Sequence, residues 1–350
     1  MAARSGILAA GIMLVDYVHR INHWPQQGWL AEISHSEKAA GGAPLNVLLT
    51  LSRMRCQLPL AAIGLLGEDA DGDFLIQIMD EAQINRRSVQ RTRQMPTSTS
   101  QVMTAPDGQR TFFYAPGANR LLDIQHVDAL YTQHRIFHLG YLLLLESLDR
   151  QDDDFGTRSA HLLAKMQQCG YRTSLDLASR AGDYRPLILP SLRWLDYLVI
   201  NELEAEALTG IALRNANGVQ SPAAFAVAAQ WLAVQGVHQR VVIHAPEGAW
   251  VQEVNGAGVW QSAWQLAPEE IAGSVGAGDA FCAGVLYATH QGFDMVNTLK
   301  LAHTCAWFNL HAANAIDGIR PLDEMQRWMD QAICVESRAA SGFTTSAEKT

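Results

Sequence analysis

The sequence predicts an α/β protein, with a central, mainly parallel sheet flanked by helices and a small β-sheet lid beside it. Three observations point there. Short apolar runs bounded by turn residues alternate with amphipathic stretches along most of the chain, the rhythm of β-α units around a parallel sheet. Several amphipathic stretches end in glycine, which accepts the left-handed conformation that closes a helix. Two segments rich in Thr, Val and aromatic residues interrupt the rhythm and read as β-hairpins. At 350 residues, 48% hydrophobic and 17% charged, the chain has an ordinary globular composition and is long enough for a large core.

In chain order, buried strands are expected in "GILAAGIML" (6–14), "LAAIGLLG" (60–67), "RIFHLGYLLL" (135–144), "RTSLDLA" (172–178), "WLDYLVI" (194–200) and "RVVIHA" (240–245). Helices are expected in "PLNVLLTLSRM" (44–54), "DGDFLIQIMDEA" (71–82), "FGTRSAHLLAKMQQCG" (155–170), "ELEAEALTG" (202–210), "SPAAFAVAAQWLAVQG" (221–236) and "GDAFCAGVLYATHQG" (278–292). The hairpin material lies at about 17–38 and 97–115, the second turning at Pro106, Asp107 and Gly108. The two segments could meet as one small sheet, acting as a lid or as an edge extension of the main sheet. A single domain is expected over 1–335, and the small, polar, aperiodic stretch 336–350 reads as a disordered tail.

Composition also excludes functions. A net charge of −9 without basic runs argues against a nucleic-acid partner, because phosphate backbones are bound by basic surfaces. No apolar run reaches the roughly 20 residues of a membrane span, and the start lacks a compact cleavage pattern, so no membrane segment or leader is expected. Five widely spaced cysteines with no C-x-x-C pair fit reduced thiols in a cytoplasmic protein. None of the twelve histidines stands at a metal-ligand spacing.

Three short elements could carry chemistry. In "VGAGDAF" (275–281), a glycine turn opens a helix, and its unpaired N–H groups with the positive end of the helix dipole make an anion site. Gly276 and Gly278 let the backbone come close to a phosphoryl oxygen, and Ala277 keeps the approach open. Asp279, in the first helical turn, is either a dipole-complementing residue or a base facing a substrate hydroxyl. In "GGAPLN" (41–46), Gly42 permits tight geometry, Pro44 suits a helix start, and Asn46 offers a donor and an acceptor to a polyol. In "NELE" (201–204), Asn201 and Glu204 follow a strand, where open α/β sheets bind ligands, and could serve water-mediated Mg²⁺. They equally fit a capping box.

In this order, "GGAPLN", "NELE" and "VGAGDAF" resemble the signatures of the ribokinase-like (PfkB) family of carbohydrate kinases. The resemblance extends over roughly 6–325 and includes Asp16, "GLLGEDADG" (64–72), "PGANRLLD" (116–123), Glu146 and "VVIHAPEG" (241–248). It implies ATP-dependent phosphorylation of a hydroxymethyl group on a small sugar, closest in pattern to the ribokinase branch. By resemblance, Asp279 is the general base, and Gly276, Ala277 and Gly278 form the anion hole. Asp16, Gly42 and Asn46 hold the sugar with help from Glu146. Asn201 and Glu204 organise ATP phosphates and a water-bridged Mg²⁺, while Ala245, Gly248 and His303 lie by the nucleotide. A homodimer through the lid is also implied. This agrees with the chemistry, since phosphoryl transfer is governed by positioning and electrostatics.

The chain departs from the family in places. Gly273 and Ser274 stand where Asp-Thr is usual, which puts activation by a monovalent cation in doubt. Ile243 and Ala245 replace a Thr and a Gly near the adenosine, and Ala178 replaces a frequent Asn. Two rival readings stay open: a nucleoside kinase with Trp24, Trp29, Phe113 or Tyr114 stacking on a base, and a non-catalytic sugar or nucleotide sensor. A dinucleotide-dependent dehydrogenase is disfavoured by the lack of an early G-x-G-x-x-G.

Overall fold

The structure, a computed structural model, describes residues 4–127 and 133–332. The tail at 336–350 and Cys334 lie outside the described residues. Strands run in chain order as Ile7–Gly11 (β1), Leu14–Ile21 (β2), Ile33–Gly41 (β3), Leu60–Gly67 (β4), Asn85–Thr92 (β5), Ser98–Thr104 (β6), Arg110–Ala115 (β7), Ile136–Leu142 (β8), Gln151–Asp152 (β9), Gly156–Thr157 (β10), Arg172–Leu177 (β11), Tyr197–Asn201 (β12), Arg240–Ala245 (β13), Gly248–Glu253 (β14) and Gly258–Ser262 (β15). The α-helices are Ala43–Arg53 (α1), Ala70–Glu81 (α2), Arg158–Gln168 (α3), Arg185–Leu192 (α4), Glu202–Thr209 (α5), Pro222–Val234 (α6), Ala277–Gln291 (α7) and Met295–Asn309 (α8).

A nine-stranded sheet has the order β15-β14-β13-β12-β11-β8-β1-β4-β5. Every pairing from β13 to β5 is parallel, and β14 and β15 continue it as antiparallel strands. The central strands are apolar on both faces because helices cover both: all five residues of β1 and all eight of β4 are buried. Each large aliphatic side chain so buried contributes about 1.5–3 kcal/mol. Two apolar clusters lie on the two faces of this sheet, one around Leu8, Phe137 and Phe225, the other around Ile7, Leu48 and Phe281.

Several of the elements outside the six expected strands and six expected helices carry a weak apolar signal, the well-buried α8 being an exception. β5, "NRRSVQRT", is a half-buried edge strand whose charges suit an exposed edge. α4 contains Pro190, which reads as a break. The β14–β15 hairpin is only partly buried.

The apolar run at 6–14, expected to be one strand, is two. β1 ends at Gly11, whose φ of 131° and close approach to the Gly140 carbonyl admit no side chain. The chain then leaves the main sheet and enters a four-stranded sheet of order β3-β2-β6-β7. The two hairpin segments therefore meet, with β2 parallel to β6 and the outer pairs antiparallel. The first segment is longer than the expected 17–38, because β2 begins at Leu14 and β3 continues to Gly41. Asp16 thus belongs to the smaller sheet. Among the described residues no helix is long and apolar enough to cross a membrane.

Candidate active site

The N-terminus of α7 is the pivot of the site. Gly276, its N-cap, has φ 74° in the left-handed region, and a Cβ there would come 2.5 Å from the Ala315 Cβ. No side chain caps the helix; the Ala277 N–H donates to the Ser274 carbonyl at 3.4 Å, and the other first-turn N–H groups stay available to an anion. Two cavities meet at this point, sharing Asn201, His244, Ser274 and Gly278.

The first cavity, about 790 Å³, lies between the two sheets and carries the carboxylates Asp16, Asp176, Glu204 and Asp279 beside Gly42, Asn46, Ser100 and Tyr141. Asp279 is 4% exposed. It accepts hydrogen bonds from Asn46 Nδ2 at 2.7 Å and from the Tyr141 hydroxyl at 2.7 Å. Burial pushes its pKa up, while these two donors stabilise the anion and oppose the shift. The Asn46 Oδ1 is buried without a partner, an acceptor left over once Nδ2 has paired with the carboxylate. Asp16 is raised to about 7 by burial and then by the charge of Asp279, with Ser100 pulling the other way. Gly41 makes room for Asp16, since a Cβ there would lie 2.1 Å from Oδ2. Gly42, with φ 96°, passes so close to the Ile12 carbonyl that a Cβ would sit 2.2 Å from it.

Glu204 fulfils the capping reading of "NELE". It completes a capping box, with its backbone N–H donating to Asn201 Oδ1 at 3.0 Å and its Oε2 accepting from the Asn201 N–H at 3.0 Å. Its Oε1 accepts from Ser179 and from Asn201 Nδ2, both at 2.8 Å. Yet this buried side chain lines the cavity, and burial raises it to about 7. A carboxylate occupied on both oxygens suits contact with a metal's water better than direct ligation, which fits Mg²⁺, an ion that keeps several waters.

The second cavity, about 690 Å³, is mostly apolar, with Ala245, Pro246, Trp264, Phe281, Trp307 and Leu310 among its lining residues. His303 lines it too, and its Nε2 donates to the Gln261 carbonyl at 3.1 Å. Burial lowers both His303 and His244 to about 4, so both rings are neutral.

The structure thus brings together Asp16, Gly42, Asn46, Asn201, Glu204, Gly276, Gly278 and Asp279 in the first cavity, and Ala245, Ala277 and His303 in the second. It does not bring Glu146 or Gly248 to either. The Glu146 carboxylate accepts from Arg120 Nε at 2.8 Å and borders a separate depression with Asp149 and Arg150. Gly248 lies against Trp260 in the β14–β15 hairpin, where a Cβ would be 2.4 Å from the ring. Of the aromatics weighed for base stacking, Tyr114 lines the polar cavity. Trp24 instead stacks on Phe113, and Trp24, Trp29 and Phe113 are exposed. Sequence reasoning missed Tyr141, Asp176 and Arg110. Tyr141 is the penultimate residue of β8 and Asp176 the penultimate residue of β11, a position at strand ends that could have flagged them. It also missed that His138, Asp176 and Cys282, from three distant elements, gather within 4.8 Å of one another.

A mainly parallel sheet with a smaller sheet beside a polar cleft defines the ribokinase-like class of α/β proteins. Residues 6–321 match the pfkB family carbohydrate kinase description, and the chain belongs to that family. It is a sugar kinase. It is 26% identical over 334 residues to a probable fructokinase-7 of Arabidopsis thaliana, covering 91% of each chain. It is 30% identical over 221 residues to fructokinase-1 of Zea mays, covering 60% of this chain and 64% of that one. Among solved structures, the Arabidopsis thaliana ribokinase complexed with ribose and ATP superposes with a TM-score of 0.75 at 20% identity, covering 93% of this chain and 99% of that one. The Xylella fastidiosa fructokinase with bound ATP gives 0.72 at 24% identity, covering 93% and 98%.

Proposed function

We propose that the protein transfers the γ-phosphoryl group of ATP to a hydroxymethyl group of a small sugar. The sugar occupies the polar cavity, held by Asp16 and Asn46 where Gly42 lets the backbone come close. The nucleotide base lies in the apolar cavity, near Ala245 and His303. The observation that carries this reading is the position of Asp279, a buried carboxylate in the first turn of an uncapped helix where the two cavities join.

Asp279 takes the proton of the acceptor hydroxyl as its oxygen attacks phosphorus. Asn46 and Tyr141 hold the carboxylate in place and keep it anionic until the acceptor arrives. The N–H groups of the Gly276–Gly278 turn receive the negative charge that develops on the transferred group. Asn201 and Glu204 would hold a Mg²⁺ ion, which would supply charge neutralisation on the phosphates. With glycine at 273, the reaction runs without a specific monovalent cation.

We further propose that the smaller sheet acts as the lid, excluding water from the cleft. A homodimer through its outer face would cover Trp24, Trp29 and Phe113, which are 51%, 73% and 54% exposed. Fructose is the first acceptor to test, because the matched relatives bear fructokinase names. An ADP-release assay with Mg²⁺ and ATP, across ketohexoses, pentoses, sugar acids and nucleosides, is the direct test. Turnover confined to a sugar supports the reading. Turnover confined to nucleosides, or none with any acceptor, overturns it.

A further inference from the structure

We propose that Arg110 is a catalytic residue of the transfer step. Its guanidinium, carried on the smaller sheet, donates to a non-bridging oxygen of the phosphoryl group in flight. The inference rests on the sugar-kinase mechanism above and adds a residue to it.

Arg110 is the first residue of β7 and is partly buried. It lines the same cavity as Gly276, Gly278 and Asp279. Its Nε is buried with no hydrogen-bond partner. Burial alone pulls its pKa down, and no acidic neighbour holds it up. The other arginine lining this cavity, Arg180, donates to the Leu143 carbonyl at 3.3 Å and also borders the adjoining depression with Asp149. Among the described residues, Arg110 is therefore the cation of the cleft that lacks a partner.

Its position points to the ligand it awaits. A Cβ built on Gly273 would lie 2.8 Å from Arg110 Nη2, so the guanidinium rests on the loop that leads into the Gly276 turn. A side chain at 273 would meet both the guanidinium and the Ala312 carbonyl, 2.6 Å from the same Cβ. A partly buried charge without a counter-ion is costly, and the cost is relieved when an anion enters. The carboxylates of the cleft do not fill that place, since none pairs with Arg110. A phosphoryl group seated on the N–H groups of Gly276–Gly278 brings negative charge next to this loop, and a planar guanidinium suits its oxygens.

The smaller sheet carries both Asp16 and Arg110, on β2 and β7. Seating that sheet over the cleft brings an acceptor-binding carboxylate and a phosphoryl-binding cation in together. In the step itself, the acceptor oxygen bonds to the γ-phosphorus while its proton passes to Asp279. The bond from phosphorus to the β–γ bridging oxygen breaks, and its electron pair leaves with ADP. Arg110 keeps its protons throughout and acts only as a donor.

The test uses the full chain with its best sugar acceptor and compares Arg110→Met, Arg110→Lys and Arg110→Ala. Arg110→Met is expected to lower kcat on the order of 10²–10³-fold, with KM for sugar and ATP within about threefold. Arg110→Lys should keep part of the rate, and added guanidinium ion should restore part of the Arg110→Ala rate. Wild-type protein should bind ADP with aluminium fluoride and sugar far more tightly than Arg110→Met does, with ADP alone bound equally by both. Melting temperatures show whether each variant folds, and Arg110→Lys carries the test if Arg110→Met does not. A kcat within threefold of wild type, or a loss confined to the KM for sugar, overturns the inference. Absence of sugar phosphorylation in the wild type would overturn the underlying mechanism instead, so the two failures are distinguishable.

Discussion

The two cavities that meet at the start of α7 differ in kind. The polar cavity carries four carboxylates, two of them raised to about 7, with Asp279 held by donors from two other elements while Asn46 Oδ1 and Arg110 Nε are left without partners. The apolar cavity is walled by indoles, Phe281 and small residues, with two neutral imidazoles. A polyol is recognised by directional hydrogen bonds, which are costly to leave unmade, so a precise polar network discriminates between acceptors. A purine is held largely by apolar and stacking contact, which tolerates substitution. The departures from the family pattern at Ile243 and Ala245 flank the tolerant side, whereas Asn46 and Asp279 on the exacting side match it.

The largest effect should come from the acceptor side. Asp279→Asn removes the base and is expected to lower kcat on the order of 10²–10⁴-fold. Sugar and nucleotide should still raise its melting temperature as they do for wild type. Turnover within tenfold of wild type would end the assignment of Asp279 and, with it, the contrast between the two cavities.

A smaller and differently distributed effect is expected across the divide. Ala245→Leu adds bulk to the apolar cavity, and nucleotide affinity should drop about tenfold, near 1.4 kcal/mol, with sugar affinity unchanged by calorimetry. Equal weakening of both ligands would show that the cavities are one site rather than two.

The smallest effect is a slope in stability. Asp16 and Glu204 stand near 7 in the folded protein against ordinary values of 3.8 and 4.5, chiefly because burial disfavours their charged forms. Between those limits the folded chain keeps protons that the unfolded chain has released. The stabilisation is therefore complete below about pH 4 and is lost as pH rises to about 7. His244 and His303, lowered to about 4 by burial, impose the opposite slope on wild type and variant alike, so the test is a difference: Asp16→Asn should gain melting temperature relative to wild type as pH rises from about 5 to about 8. A difference that stays flat or shrinks over that range would contradict the burial of Asp16.

How much of this was legible beforehand differs by element. The six apolar strand runs and six helices could be read because burial on both faces or on one stripe leaves a periodic signature. The run at 6–14 misled because an apolar string does not say where a chain changes sheets. That is decided at Gly11, by the close passage of the Gly140 carbonyl 129 residues further on. Glu146, placed with the sugar by the family resemblance, instead borders an adjoining depression, where its carboxylate pairs with Arg120 and Arg150.

The sequence by itself determined the parts whose physics is local. A glycine turn before an apolar helix makes an anion site wherever it folds, and an Asn three residues before a Glu makes a capping box. Only the tertiary structure decided what those parts face. Asp279 gains its donors from Asn46, 233 positions away, and from Tyr141, 138 away. Arg110 meets Gly273 because the smaller sheet lies over the cleft. Such contacts depend on which elements pack together, and pairwise encounters across so many residues leave no period or spacing along the chain.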